Sequence, residues 1–515
     1  MKNLLFAIFM VFSTAFGQKM PVSYDFGEKF NDRHKYSNLV TISEDGDGGY
    51  LLVRSYFQGL ILKPRGYIIE RYDADLNLVS EYNYKFNGMQ FVDGFFHNGI
   101  LNLLFFNYDF EMEQYEYWVH QSSVLNYDFK PKRLMAIKSQ VVQGAFGKNY
   151  YNRNFKKGFS TILLFDKEKN GFLISTHHKR GKLNKHTLHL FDTNLNKRWE
   201  HDFSNEVEDK NYAFEQLALS ENLDYAYIVG KAYFKKKRFE ATERKFQYEV
   251  IKVSQNEAKT QQFLEPGKYP EALYPLFKNE KLVCVGFYAN RKDNRYNGLT
   301  YYELNPASLS VEQEKYHPFT PEFMSDKFGR EDDKEIKNLV FKGVELTSNG
   351  EIIFNAEEYF VTESMQRTGA GQRIKVERFH HNDIVSAKLN AAGDMEWVRN
   401  INKLEVTQGD GAYASYSSFF NNGKTYFFIC TASENPQLLG NERIVFKQGL
   451  GRNRNVFTIS LDENGKLDYE KIIDAKDARL PLMVSKPFVN KNEGQLLFYA
   501  KQGNKKQLVE VEFED

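Results

Sequence analysis

Along most of the chain apolar residues recur at every second position in short runs, and each run ends at Asn, Asp or Gly. The segments TSNGEIIFNAE and FNNGKTYFFIC show the pattern on both sides of an Asn-Gly pair. Period-two alternation puts successive side chains on opposite faces of a pleated strand. Asn-Gly favours tight hairpin turns because both residues tolerate positive φ. The pair occurs at Asn87, Asn98, Asn170, Asn297, Asn349, Asn422 and Asn464, and the pattern predicts an all-β chain built from hairpins.

One hairpin recurs. An apolar residue is followed by a short polar one and a turn, and a second strand is under way eight residues later. The copies are YDADLNLVS from Tyr72, LNYDFKPKR from Leu125, FDTNLNKRW from Phe191, VSQNEAKTQ from Val253, LNPASLSVE from Leu304, LNAAGDMEW from Leu389 and LDENGKLDY from Leu461. Their second positions are Asp73, Asn126, Asp192, Ser254, Asn305, Asn390 and Asp462. Each carries a side chain short enough to accept a hydrogen bond from the backbone two residues on, which is how such residues start turns. Spacings of 51 to 85 residues, with about four strand-like runs per interval, fit the blades of a β-propeller.

An eighth unit is expected where the ends meet. LVEVEFED at the C-terminus has no following strand, and MPVSYDF near the N-terminus has none before it. Pairing them completes a last blade and removes two open edges. The sequence thus predicts an eight-bladed propeller, with seven blades as the runner-up, closed by N- and C-terminal strands in one blade. With 45 Phe and 32 Tyr against 12 Pro, and no Ser- or Pro-rich linker, residues 18–515 read as a single propeller domain.

The segment DGGYLLVRSY, followed by YIIERYDADLNLVSEYNY, resembles the repeat of secreted bacterial β-propeller-like proteins of uncharacterised function. HHNDIVSAKLNAAGDMEWVRNI and LHLFDTNLNKRWEHDF carry the resemblance best, with Trp397 and Trp199 in one register; Ser80, Arg133, Gln261, Glu312 and Tyr469 depart from it. The resemblance implies a fold and no reaction.

Residues 1–17 read as a secretory signal peptide: Lys2 gives a positive start, Leu4 to Phe12 is apolar, and Ala15 and Gly17 are small residues at the cleavage positions. The mature chain is expected in the periplasm or outside the cell, as a monomer with no membrane span. Cys284 and Cys430 lie in apolar runs and fit either two buried thiols or one bridge.

Candidate chemistry is sparse. Asp45-Gly46-Asp47-Gly48-Gly49 opens like a calcium loop, but Tyr56 stands where a bidentate Glu is needed, so it reads as a turn. His177-His178 and His380-His381 are adjacent pairs, which a strand points to opposite faces. No nucleophile elbow, phosphate loop or dinucleotide fingerprint is present, and no cofactor or metal is expected.

Charge is the stronger signal. The segments 54–67, 107–118, 175–187, 234–246, 289–299, 362–378 and 433–455 read as second-to-third strand loops on one face. They hold 24 Lys and Arg against 11 Asp and Glu in a chain of net charge +1. Such a face would attract an anionic partner. The candidate binding residues are His177, His178, Lys179, Arg180, Lys235, Lys236, Lys237, Arg238, Arg367, Arg373, Arg452 and Arg454. The function expected is a non-catalytic interaction platform of the bacterial envelope or exterior, binding an envelope protein or anionic glycan; near-neutral charge and export argue against nucleic acid. The alternative is a carbohydrate-active or other hydrolytic enzyme with its site in the central depression of the same face. Two additions in the longest interval, 325–337 and 362–378, read as a charged loop and a mobile hairpin loop.

Overall fold

The computed structural model describes residues 20–514 apart from positions 60–61, 86–87, 141–157, 167–168, 181, 208–209, 236–244, 264, 291–294, 331–335, 368, 370, 410, 440–442, 450–453, 479 and 492. The expected signal peptide lies outside the described residues.

The described strands form eight sheets. Sheet 1 joins Ser37–Glu44, Tyr50–Gln58, Lys63–Tyr72 and Leu78–Lys85 as a meander. Sheets 2 to 5 repeat that order over 90–138, 158–202, 210–262 and 269–318. Sheet 6 covers 339–401 with three added strands, and sheet 7 covers 417–473. Sheet 8 takes Phe488–Asn490, Gln495–Gln502 and Lys505–Phe513 from the C-terminus and Val22–Phe26 from the N-terminus, so that Val22 faces Phe513 and Phe26 faces Val509. This is a β-propeller: strand order within each sheet follows the chain, and each sheet packs its faces on its two neighbours.

Alternation along the strands builds the packing. In the second strand of sheet 1, Leu51 and Val53 pack with Leu101 and Leu103 of sheet 2, whereas Leu52 packs with Leu497 and Tyr499 of sheet 8. Further cores join sheets 2 and 3 (Phe106, Phe172), 3 and 4 (Leu188, Ile228), and 4 and 5 (Val250, Cys284). The series continues through sheets 5 and 6 (Val285, Phe354), 6 and 7 (Ile384, Phe427), and 7 and 8 (Phe428, Phe498). The middle strands are covered on both sides and are mostly buried, polar residues such as Arg54 included, whereas the outer strand Leu78–Lys85 alternates half-buried and exposed. First strands lie side by side between sheets 1 and 2, 3 and 4, 4 and 5, and 5 and 6, and those of sheets 4 to 8 line one central channel.

All seven recurrent hairpins are third-to-fourth strand turns of sheets 1 to 7. In each, the second residue accepts backbone N–H bonds as its side chain predicts: Asp73 from Asn77, Asn126 from Asp128, Asp192 from Asn196, Ser254 from Glu257, Asn305 from Ala307, Asn390 from Ala392 and Asp462 from Asn464. In sheet 8 the corresponding turn is replaced by the two chain ends. The Trp register is structural: Trp199 Nε1 donates to Leu223 O at 3.0 Å and Trp397 Nε1 to Glu463 O at 2.9 Å, each tying an outer strand to a turn of the next sheet.

Three expectations need correction. The addition at 325–337 begins inside an α-helix, Pro321–Phe328, capped by Thr320 and ended by Gly329 at positive φ. Its Arg399–Asp326 and Lys327–Asp383 ion pairs tie it to sheet 6. The addition at 362–378 is no irregular loop, because Ile352–Arg367 and Arg373–Leu389 stay paired as a ribbon up to Arg367 opposite Arg373. Finally, Arg54, counted among the basic loop residues, is buried and bound to Asp32 and Glu70.

Candidate functional site

The strand order puts every described second-to-third connection on one side, as expected from sequence, but it does not gather the twelve candidate residues. Those among the described residues are spread over sheets 3, 4, 6 and 7. Lys236, Lys237, Arg238 and Arg452 lie outside the described residues, as does the Arg180 side chain. His177 is half-buried, bonded to Asn184 at 2.9 Å and stacked on His186; burial pushes its pKa down to about 4, so it is neutral at pH 7. His178 Nε2 lies 3.2 Å from Ser139 Oγ. Lys179 is half-buried opposite Asn184, and Lys235 donates to Val207 O. Arg367 and Arg373 are exposed at the ribbon tip. Arg454 stands 5.5 Å over the Tyr413 ring.

The calcium-like segment is the first hairpin turn of sheet 1. Asp45 accepts N–H bonds from Asp47 and Gly49 and pairs with Arg71 at 2.6 Å. His380 stacks on Phe360, while His381 turns inward to Glu357.

One concavity of ligand size lies in the channel. A cavity of about 500 Å³ is lined by the first strands of sheets 4 to 8, among them Gln216, Tyr274, Phe341, Lys342, Ser418 and Phe420. It runs from Tyr416, where the chain enters sheet 7, to the first-to-second strand turns, where Lys491 of sheet 8 pairs with Glu345 of sheet 6 at 2.7 Å. Asn355 donates to Ser418 Oγ at 3.2 Å. Tyr416, Ser417 and Thr425 of sheet 7 also line it, but their hydroxyl oxygens are buried, do not open onto the cavity, and have no hydrogen-bond partner among the described residues. Most buried polar groups in proteins are paired, since leaving one unpaired costs about 1–3 kcal/mol.

The cavity is bounded at Tyr416, the last residue of the segment 411–416 that leads into sheet 7. Ala412 packs into the core between sheets 8 and 1, Tyr413 Oη donates to Lys501 O at 3.0 Å, and Ser485 Oγ donates to Gly411 O. The segment is fixed to sheet 6 by a buried network. Ser415, at φ +69°, donates its hydroxyl to Glu357 at 2.8 Å and its N–H to Glu405 at 2.7 Å. Lys403 Nζ bridges the two carboxylates at 3.1 and 2.7 Å, and His381 lies 3.1 Å from Glu357. Burial alone would raise the Glu357 pKa, but Lys403, His381 and Lys342 outweigh it and hold it at about 2. Burial raises that of Glu405. Each carboxylate at or under the cavity, Glu345, Glu357 and Glu405, therefore has a cationic partner within the chain.

Neither a family model nor a curated protein matches the sequence. Solved structures similar to it include the β-propeller domain of the Trilobed protease from Pyrococcus furiosus, at 10% identity and TM-score 0.35 over 86% of this chain and 98% of that one. Chaetomium thermophilum Sqt1, bound to the N-terminus of ribosomal protein L10, matches at 9% identity and TM-score 0.38 over 95% and 98%. Prolyl oligopeptidase B from Galerina marginata matches at 10% and 0.39 over 94% of this chain and 56% of that one. Identities and scores this low carry nothing about the site.

Gln216, Tyr274, Phe341 and Phe420, which line the cavity, escape a motif search because they carry no charge and belong to no known signature. The one local signal is GAYASYSSFF, 411–420, a crossing segment of small, hydroxyl and aromatic residues where a solvated loop would carry charge.

Proposed function

We propose that this chain is a single propeller domain of eight blades, closed by its terminal strands, that is exported and holds a ligand without transforming it, with the channel cavity as the binding site. Support for the ring comes from the eight sheets, the pairing of Val22–Phe26 with Lys505–Phe513, and the core joining sheet 8 to sheet 1. Support for the site comes from a cavity of ligand size lined by residues of five sheets, Gln216, Tyr274, Phe341, Phe420 and Val489 among them. Binding is favoured over hydrolysis because hydrolytic carboxylates work as a pair with separated roles. Here Glu345, Glu357 and Glu405 are each occupied by a lysine.

The test is retention of small molecules. The mature protein is incubated with a host extract, desalted and denatured, and the released compounds are weighed by mass spectrometry. In parallel go a channel variant, Gln216→Ala with Phe420→Ala, and a rim variant, Lys235→Glu with Arg367→Glu and Arg373→Glu. The expected result is a compound of unchanged mass retained by the parent and the rim variant and lost from the channel variant. Loss from the rim variant alone would return the site to the basic loops, and a compound of altered mass would favour the enzyme.

A further inference from the structure

The ribbon strands of sheet 6, Ile352–Arg367 and Arg373–Leu389, are 16 and 17 residues long, whereas no other strand among the described residues exceeds 10. On its outer edge the first of them is paired with Leu339–Leu346 only as far as Glu358, after which Tyr359 N–H donates to Asn338 O. From Phe360 to Arg367 that edge has no neighbouring strand among the described residues. Backbone groups point alternately to the two sides of a strand, so those of Val361, Glu363, Met365 and Arg367 point outward as those of Tyr359 do. Such an edge is a template for a further strand unless its side chains forbid one.

The side chains along this edge are incompletely matched within the chain. Glu363, Met365 and Arg367 share a face with Glu377, Lys375 and Arg373, the residues opposite them. Lys375 alone serves both Glu363, at 2.6 Å, and Glu377, at 3.1 Å, while Arg367 and Arg373 have no carboxylate within ion-pair distance among the described residues. Val361 and Met365 are exposed apolar side chains on the same strand. Laid antiparallel on a second copy of itself with Met365 on the twofold axis, the edge becomes complementary. Glu363 of each copy then stands opposite Arg367 of the other, Ser364 opposite Gln366, and Met365 opposite Met365. An axis at Glu363 or Arg367 would set like charges against each other, which destabilises a strand pair, and an axis at Ser364 would form no direct ion pair. The bases of the two ribbons would stand about 12 residues, or roughly 40 Å, apart along the strands, which keeps the propeller bodies from colliding.

We infer that this chain pairs with a second copy of itself through the outer edge of the sheet 6 ribbon, Val361–Arg367 antiparallel to Val361–Arg367 about Met365, so that the two ribbons join as one four-stranded sheet in place of the monomer expected from sequence. The contact is isologous and is made of about six backbone hydrogen bonds and two ion pairs. It is small for a protein interface, so its dissociation constant should be on the order of 10 micromolar. An extended segment of another protein is the weaker occupant, because the charges of this edge complement the edge itself.

The experiment is sedimentation velocity of the full mature chain over about 1 to 200 micromolar, a range that brackets that constant. The expected result is a monomer–dimer equilibrium. Met365→Pro removes an N–H that points away from the other ribbon strand, so it should leave the melting temperature of the dilute protein unchanged and abolish the dimer. Glu363→Lys and Arg367→Glu each set like charges across the axis and should each weaken the dimer about tenfold. An equimolar mixture of those two variants again places opposite charges at both positions, so it should dimerise as the parent does. A parent that stays monomeric over the whole range would overturn the inference. A dimer that survives Met365→Pro would overturn it by placing the contact elsewhere, and two charge variants that associate no better together than apart would overturn the register about Met365.

Discussion

Gly465 lies against the indole of Trp397: a Cβ at Gly465 would stand 2.8 Å from Trp397 Cγ, and its φ is +74°. Gly393 makes the same contact with Tyr301 at 2.7 Å. At the matching turn position in sheets 1 and 3 stand Leu76 and Leu195, also at positive φ, with their side chains buried in the core shared with the preceding sheet. The turn thus locks neighbouring sheets in two ways: a leucine reaching into the interface, or a glycine over which the preceding sheet lays an aromatic ring.

Gly465→Ala should therefore cost about 2–4 kcal/mol, combining a disfavoured φ with a clash against a packed ring. Gly423, at φ +76° with nothing within 4 Å of its would-be Cβ, provides the control. Gly423→Ala should cost only about 1–2 kcal/mol. Urea unfolding of the two variants beside the parent measures the difference, and equal losses would show that the Trp397 contact contributes nothing.

The features that were legible in the sequence are local ones. Asp73, Asp192 and their equivalents bond to backbone a few residues away, so each turn can be read alone. Sheet 8 was harder because its hairpin is split between residues 22–26 and 505–513. The helix Pro321–Phe328 leaves little trace in the sequence because at eight residues it shows little periodicity, and what holds it is distant: Arg399 on Asp326 and Asp383 on Lys327. The polar tip of the ribbon has the composition of a mobile loop, yet Lys375 pairs with Glu363 and Glu377 along it. The cavity exists only where Gln216, Tyr274, Phe341 and Phe420 meet, and these lie far apart in sequence.

Acid should weaken the fold well before carboxylates titrate. Burial pushes the pKa values of His177 and His189 down to about 4, and that of His186 down as well. In the unfolded chain these rings take up protons near pH 6.5, but in the folded chain only near pH 4. Their contribution is thus complete above pH 6.5 and is lost as pH falls toward 4, on the order of 3 kcal/mol for each ring moved to about 4. Urea midpoints at pH 7.5 and pH 4.5 check this: the parent should drop, and His177→Gln should drop less. A parent equally stable at both would contradict the burial of these rings.

Cys284 and Cys430 are both buried and unbridged, and burial raises both thiol pKa values, that of Cys430 to about 12. Only the thiolate reacts readily, so neither should respond to a thiol reagent such as dithionitrobenzoate in the native state. Denaturant should release two thiols per chain. A thiol that reacts at the native rate of a free cysteine would place that strand at the surface.

Closure of the ring can be tested from both ends. Lys505–Phe513 is paired on one edge with Gln495–Gln502 and on the other with Val22–Phe26 and Phe30–Asn31. It also carries Lys506, which binds Glu70 and, at 3.1 Å, Glu81 of sheet 1, beside Arg54, Asp32 and Lys501. Removing residues 506–515 unpairs the N-terminal strands, bares two edges and leaves Glu70 with one fewer cation. Losing one partner of a buried ion pair costs about 3–5 kcal/mol, and open edges promote aggregation. The truncated chain should aggregate or melt far below the parent. The converse change is a crosslink: Ser23 stands opposite Glu512, so Ser23→Cys with Glu512→Cys should oxidise to a bridge and raise the melting temperature, since joining the ends restrains the unfolded chain. A truncated protein that melts like the parent, together with a cysteine pair that stays reduced in air, would place the closure of the ring elsewhere.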